Sequence, residues 1–336
     1  MTKIKSRLLS AALSCLIVLT SWQCARVLDQ PTVEGPSLAT AKSFELIEPI
    51  PFSVALDPGQ VALGRKLFHD PQLSADNSLS CASCHDLAKG GTDQSVSSTG
   101  INRQVGPINA PTVLNAGFQF KQFWDGRAES LEEQAGGPIM AAGEMGSSGW
   151  PEVIGKLEAK PEYVSAFSQS YPDGVTETNI RDAIAEFERS LYTPNSRFDQ
   201  FLRGDENALT ADEKEGYRLF KSNNCTSCHN GVLLGGNSFQ KMGRYDDYFK
   251  ERGNITDADY GRFNVTGKEA DRFFFKVPTL RNVALTFPYF HDGSAKTLEE
   301  AVSVMIQYQL GQEPNQQDVE LIAGFLKTLT GKTVEG

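Results

Sequence analysis

Apolar residues recur at helical spacing towards the end of each half of the chain. Ile184, Phe187 and Leu191 follow one another at intervals of three and four residues, and residues 322–329 repeat this spacing with the same residue types. Side chains at such intervals lie on one face of an α-helix. The pattern therefore predicts, in each half, a closing helix with one buried face.

An earlier helix is predicted in each half by a shared apolar motif. Residues 64–68 and 216–220 both read Gly-x-x-Leu-Phe. Thr210 and Glu213 form a capping box before the second motif, an arrangement that satisfies free N–H groups at a helix start. Because strand patterns are sparse throughout, we predict an all-α fold.

The segment between these helices repeats without a gap at an offset of 167 residues. We interpret the repeat as an internal duplication of one domain. The matched positions are Pro111 with Pro278, Thr112 with Thr279, Asn115 with Asn282, Phe120 with Phe287, Phe123 with Phe290, Asp125 with Asp292, Gly126 with Gly293, Ala128 with Ala295, and residues 131–133 with residues 298–300.

The N-terminus has the pattern of a secretion signal. Lys3, Lys5 and Arg7 precede an apolar stretch over residues 8–20 that is short for a membrane span. We predict a signal peptide over residues 1–23. Cys24 leaves a lipoprotein anchor open as an alternative, although such signals place a small residue before the cysteine and this chain has glutamine there.

The net charge of the chain limits the kinds of molecule that it is expected to bind. The 336-residue chain has a net charge of −10, and loss of the three basic residues in the first 23 would lower it to −13. An acidic protein of otherwise ordinary composition is not expected to bind nucleic acid, whereas a basic or locally basic protein partner suits it.

Two copies of Cys-x-x-Cys-His provide the candidate chemistry. Cys81 and Cys84 precede His85, and Cys225 and Cys228 precede His229 in the same way. This is the attachment signature of c-type haem, in which the cysteines form thioethers and the histidine binds the iron. A thioredoxin-like redox pair or half of a zinc site are the alternatives, but neither needs the histidine.

Each half thus holds an opening helix, a haem motif, a loop region and a closing helix, which is the plan of a small cytochrome c domain. We predict two such domains, each with one covalent haem, over residues 51–195 and 196–336, with a linker near residues 192–205. An extended tether is predicted over residues 24–50. Export agrees with the motifs because c-type haem is attached outside the bacterial inner membrane.

The repeat also reveals a difference between the halves. Met305 follows the shared block in the second half, and the same register in the first half is Pro138. Methionine is a common sixth ligand of haem iron, whereas proline cannot bind iron. We predict that Met305 closes the second haem and that the first haem is open. Met242 is the competing ligand, and a buried core role for Met305 is the other alternative.

Polar residues near Pro138 suit an open haem. Gln134 can donate a hydrogen bond to a bound oxygen, and the Glu144 carboxylate can move a proton between two oxygens. A solvated loop acid is an equally good interpretation of Glu144.

These strings together resemble the bacterial di-haem cytochrome c peroxidase family over residues 52–329. The specific motifs are Leu-Phe-His-Asp at 67–70, Asn-Ala-Pro-Thr at 109–112, Phe-Trp-Asp-Gly-Arg-Ala at 123–128 and Tyr-Phe-His-Asp-Gly at 289–293. The resemblance implies that the first haem, with His85 as proximal ligand, binds peroxide. It implies that the second, with His229 and Met305, accepts electrons from a small periplasmic cytochrome c or a cupredoxin.

The resemblance assigns further roles. It places Gln134, Pro138 and Glu144 in the distal pocket of the first haem. Trp124 is expected between the haems, where the alternative is an ordinary core aromatic. Asn109 and the backbone carbonyls of Thr286 and Pro288 resemble the family's calcium site. Members are often dimers, so a homodimer is expected.

One position departs from the family pattern. Many members carry a histidine, after a glycine, that closes the first haem until the enzyme is partly reduced. Here the pair is Gly100-Ile101, and the four histidines of the chain lie elsewhere. We therefore predict an enzyme that is active without prior reduction.

Three other functions stay open. A branch that matures methylamine dehydrogenase also lacks the loop histidine, but it replaces the axial methionine with tyrosine. A pure electron carrier with two closed haems and a ligand-binding sensor are the others, and only turnover separates a sensor from an enzyme.

Overall fold

The computed structural model describes residues 46–334. The predicted signal peptide, Cys24 and most of the predicted tether lie outside the described residues. No helix within the described part is long and apolar enough to cross a membrane.

The described chain is helical, with only two three-residue strands, so the all-α prediction is confirmed. The strands are β1 (Phe239–Lys241) and β2 (Phe274–Lys276), which pair antiparallel with Phe239 opposite Lys276. The helices are α1 (Pro58–Phe68), α2 (Cys81–Cys84), α3 (Leu131–Met140), α4 (Trp150–Glu158), α5 (Pro161–Ser170), α6 (Glu177–Ser190), α7 (Arg197–Leu202), α8 (Ala211–Ser222), α9 (Tyr248–Arg252), α10 (Phe263–Thr266), α11 (Leu298–Leu310) and α12 (Gln316–Lys327).

A pair of tightly packed helices forms the centre of each half. Helix α1 packs on α6 in the first half, and α8 packs on α12 in the second. A Cβ atom at Gly64 would lie 1.8 Å from the Ala183 carbonyl oxygen, and one at Gly216 would lie 2.0 Å from that of Leu321. Glycine in the shared Gly-x-x-Leu-Phe motif therefore permits backbone-to-backbone contact.

Two separate apolar cores surround these helix pairs. One is built from residues 63–191 and includes Leu67 and Phe187. The other is built mainly from residues 198–329 and includes Phe325. Ile47 also belongs to the second core, and the Ile50 N–H donates to Asp199 at 3.2 Å. Ile47 and Ile50, within the last five residues of the predicted tether, are therefore buried.

Backbone conformations recur at the offset of 167 residues. Helices α3 and α11 begin at matched positions. Asn115 and Asn282 both adopt left-handed conformations, with φ of 62° and 61°. Isolated bridges join Gln122 with Ala128 and, at the same offset, Tyr289 with Ala295.

The predicted linker is part of the interior. Thr193 is 1% exposed, and its hydroxyl oxygen accepts hydrogen bonds from the side-chain amides of Asn115 and Asn282, both at 2.9 Å. Helix α7 lies within the same predicted linker. This segment joins the matched asparagines of the two halves.

Candidate haem sites and the seam between them

The first Cys-x-x-Cys-His motif begins on helix α2, and His85 follows the last turn. His85 Nδ1 lies 3.3 Å from the Gly91 carbonyl oxygen. Burial lowers the pKa of the imidazole, although this hydrogen bond opposes the shift. The ring is therefore neutral at pH 7, and with its proton on Nδ1 it keeps a lone pair on Nε2 for a metal.

The second motif has the same arrangement on a 3₁₀ turn. His229 Nδ1 lies 3.0 Å from the Leu234 carbonyl oxygen, and burial again lowers the pKa of the ring. Both histidines thus present the donor atom and the backbone support that an axial iron ligand needs.

The four motif cysteines are free thiols. Burial raises the pKa of Cys81 to about 12 and that of Cys225 to about 11. Redox-active pairs and zinc sites need thiolates and therefore environments that lower the thiol pKa. The raised thiol pKa values therefore argue against a redox pair or a zinc site, and the Cys-x-x-Cys-His donor set in each half fits a covalent haem.

The second half contains a cavity of about 280 Å³ beside its motif. Cys225, Cys228 and His229 line one part of the cavity, and both Met305 and Met242 line it elsewhere. The cavity can hold a ligand between a histidine and a methionine. Because Met305 and Met242 both line the cavity, its lining does not show which of them would be the iron ligand.

The distal side of the first half is formed by α3 and the loop after it. Pro138 lies within α3, at the register that Met305 has in α11. The Gln134 Oε1 atom is buried and has no hydrogen-bond partner among the described residues. An unpaired buried acceptor of this kind indicates a missing ligand or water.

Glu144 lies on that loop, which folds back onto α3 through a hydrogen bond from Met145 N–H to the Pro138 carbonyl, 3.2 Å. The residue is exposed, yet desolvation raises the pKa of its carboxyl, with Arg127 opposing the shift. Among the described residues no hydrogen bond or ion pair engages this carboxyl. It is therefore available for proton transfer.

The loop that carries Ile101 is docked on the Glu144 loop. Ile101 is 8% exposed, and its N–H donates to the Glu144 carbonyl at 2.8 Å. A Cβ atom at Gly146 would lie 2.2 Å from Ile101 Cδ1. The other two histidines are engaged elsewhere, since His69 Nδ1 contacts the Arg65 carbonyl and His291 contacts Asp259.

Trp124 lies at the seam between the halves. Its indole N–H donates to the Asn109 carbonyl at 2.9 Å, and its own carbonyl accepts from Lys276 N–H at 2.8 Å. It packs beside Met305 in a small apolar cluster. Asn109, Thr286 and Pro288, the predicted calcium ligands, line the same cavity as Trp124.

An acidic cluster in the second half is neutralised by the protein itself. Asp259, His291 and Asp292 approach closely enough to hold a metal ion. Arg252, however, forms ion pairs with both carboxylates. The guanidinium occupies the place of a cation, so this cluster is a buried salt-bridge network.

Sequence reasoning missed the buried charged residues Lys276 and Glu188. Lys276 is 5% exposed and lines the cavity, and Glu188 is 4% exposed on α6. The repeat carried a signal for Lys276, because the residue 167 positions earlier is the uncharged Asn109.

The chain matches known proteins along most of its length. The family model described as di-haem cytochrome c peroxidase matches residues 58–207. The cytochrome c551 peroxidase of Nitrosomonas europaea is 50% identical over 302 residues, with 88% of each protein covered. This chain belongs to the di-haem cytochrome c peroxidase family.

Further relatives agree with this assignment. The cytochrome c peroxidase Ccp of Escherichia coli is 53% identical over 85% of this chain, which spans 61% of that protein's length. A solved MauG-like protein associated with microbial copper homeostasis has a TM-score of 0.72 at 30% identity, covering 85% of this chain and 93% of its own. The predicted family and enzyme class are confirmed, and membership in this family implies haem cofactors.

Proposed function

We propose that this chain is a periplasmic peroxidase that reduces hydrogen peroxide to water. The reaction is H2O2 + 2 H⁺ + 2 e⁻ to 2 H2O. Peroxide is reduced in the first half, and electrons enter through the second half from a small c-type cytochrome or a cupredoxin. Names of relatives at 42–53% identity support this activity.

The supporting observation is the register of α3 and α11. Both helices begin at matched positions, so Pro138 stands where Met305 stands in the second half. We infer that the two halves arose by duplication and that each holds one haem, through thioethers and the Nε2 atoms of His85 and His229. The bound haem supplies an iron that accepts peroxide and passes electrons.

The protein's own part in the first half is proton transfer. With haem bound, the Glu144 carboxylate would take a proton from one peroxide oxygen and return it to the other, so that the O–O bond breaks and the second oxygen leaves as water. Two electrons from the second half and two protons from solvent would then convert the remaining oxygen into the second water. Gln134 hydrogen-bonds the same oxygens through its side-chain amide, whose Oε1 atom has no partner among the described residues. Trp124 occupies the route between the halves, where its hydrogen bonds fix the indole.

A methylamine-dehydrogenase maturation activity is the second candidate, supported by Ile101 in place of the loop histidine. Met305, rather than a tyrosine, stands at the axial register and favours the peroxidase. We also propose a calcium ion bound by Asn109 and the carbonyls of Thr286 and Pro288. We further propose that the protein forms a homodimer and that Cys24 carries a lipid anchor.

The decisive experiment mixes the diferric protein with peroxide and then with reduced cytochrome c. Immediate cytochrome oxidation is expected, at the same rate as in a sample first reduced by one electron. Turnover only after reduction would contradict the open first haem, and so would a bis-histidine low-spin signal in the diferric protein. No turnover in either sample would contradict the peroxidase.

A further inference from the structure

Lys276 is a buried lysine held at the seam by both halves. It ends strand β2, opposite Phe239, and its side chain is 5% exposed. Its backbone N–H donates to the Trp124 carbonyl, 2.8 Å away. The strand pairing and this hydrogen bond fix where the side chain begins.

The ammonium group has no anion to pair with. Among residues 46–334, no carboxylate forms an ion pair with Lys276 and no side-chain hydrogen bond reaches its Nζ atom. Burial alone lowers its pKa to about 7. A buried charge without a partner is costly, so lysine at such a position indicates an anionic ligand that the protein does not supply.

Arg281 shows how this protein treats a buried cation that serves the fold. Arg281 is 0% exposed and pairs with Asp199 at 2.9 Å. Its guanidinium also donates to the carbonyls of Val232 and Glu48. A carboxylate and two carbonyl oxygens of the protein therefore compensate the positive charge of Arg281, whereas no carboxylate among the described residues pairs with Lys276.

The missing anion belongs to the cavity. Lys276 lines it together with Cys225, His229 and Met305. Haem carries two carboxylates on an otherwise apolar ring, so a haem in this cavity supplies the anion that Lys276 lacks.

We propose that the Lys276 ammonium binds a propionate carboxylate of the second haem and raises the midpoint potential of that haem. The proposal rests on the assignment of a haem to the second half. A fixed positive charge favours the reduced iron, which carries one positive charge fewer than the oxidised iron. The matched residue of the first half, Asn109, is uncharged and supplies no such effect.

The test is spectroelectrochemical titration of both haems in the holoprotein. Lys276→Met is expected to shift the reduced-to-oxidised ratio of the second haem at least tenfold towards oxidised, which is a fall of about 59 mV for one electron. The first haem is expected to shift less. Lys276→Arg should retain most of the wild-type potential, and Lys268→Met, which removes an exposed lysine, should change neither haem.

The long-wavelength absorption band of methionine-ligated ferric haem separates this effect from ligand loss. If Lys276→Met disturbs that band, Lys276→Gln is measured in its place. An unchanged second-haem potential in a variant that keeps the band would overturn the proposal. Wild-type peroxide turnover is measured separately, so failure of the peroxidase assignment is distinguishable from failure of this one.

Discussion

The two halves of this enzyme share a scaffold and differ at single positions along it. Gly64 and Gly216 permit the same helix contact, and His85 and His229 make the same backbone hydrogen bond. Beyond the shared block, a proline in one half stands at the register of Met305. The comparison teaches that matched backbones can carry different side chains at the positions where we propose opposite chemical roles.

The backbone hydrogen bonds between the two halves also join matched positions that carry different side chains. Asn109 N–H donates to the His291 carbonyl at 2.7 Å, and Lys276 N–H donates to the Trp124 carbonyl at 2.8 Å. The two donors, Asn109 and Lys276, are 167 residues apart, and so are the two acceptors, Trp124 and His291. The backbone contacts are therefore equivalent, but the side chains differ. Asn109 has an amide where Lys276 has an ammonium, and Trp124 has an indole where His291 has an imidazole.

The largest effect is expected at Glu144, the proposed proton-transfer group of the first half. Glu144→Gln removes proton transfer while preserving size, and general acid–base catalysis contributes about 10²–10⁴-fold. We expect steady-state peroxide turnover to fall at least about 100-fold. Glu158→Gln, at an exposed glutamate on α4, is the matched control. Near-normal turnover in Glu144→Gln would show that Glu144 is a solvated loop acid that takes no part in proton transfer.

The proposed axial ligand of the second half, Met305, is tested next. Met305→Leu is expected to abolish the methionine–iron band, to lower the potential of the second haem and to slow oxidation of reduced cytochrome c about tenfold or more. Met242→Leu should change none of these, because leucine replaces a core methionine at little cost. If Met242→Leu abolished the band and Met305→Leu did not, Met242 would be the iron ligand. The difference between Met305 and Pro138 would then not explain the different roles proposed for the two halves.

The shared helix contact predicts equal losses of stability in the two halves. Gly64→Ala and Gly216→Ala each force a methyl group against a carbonyl oxygen, and overpacking of this kind costs about 1–3 kcal/mol. Gly324→Ala is the control, because a Cβ atom there meets nothing within 4 Å, so it should stabilise α12 by about 0.5–1 kcal/mol. Chemical unfolding of the holoproteins measures all three. A loss confined to one variant would show that the halves use the contact differently.

Local pattern predicted much of this molecule. Helical spacing located the closing helices, and the offset of 167 placed Pro138 and Met305 at one register, which α3 and α11 adopt. Sequence did not predict that Thr193 bridges the matched asparagines or that Ile47 enters the second core. Those contacts join residues far apart in the chain, and periodicity carries no information about such pairings.

Buried charge was also missed, for a related reason. A lysine or glutamate in a polar pattern is ordinarily a surface residue, and only tertiary packing shows that Lys276 and Glu188 are buried. Glu188 follows Phe187 on α6 as Leu326 follows Phe325 on α12. The first half therefore has a carboxyl where the second half has an apolar side chain.

Glu188 gives the smallest of the expected effects and the sharpest dependence on pH. Burial raises its pKa to about 8, with Arg189 opposing the shift. In the unfolded chain the pKa returns to about 4.3, so between these values the folded protein keeps a proton that the unfolded chain has released. Stability then falls as pH rises, by up to about 1.4 kcal/mol per pH unit.

Glu188→Gln removes this proton and should flatten the pH dependence. Between pH 6 and pH 7.5 we expect the wild-type free energy of unfolding to fall about 1–2 kcal/mol more than that of the variant. Urea unfolding of the holoproteins at both pH values measures the difference, with Glu158→Gln as the control that should parallel wild type. Parallel behaviour of Glu188→Gln would mean that the carboxyl is solvated or paired in the loaded enzyme, and the contrast with Leu326 would then concern packing rather than charge.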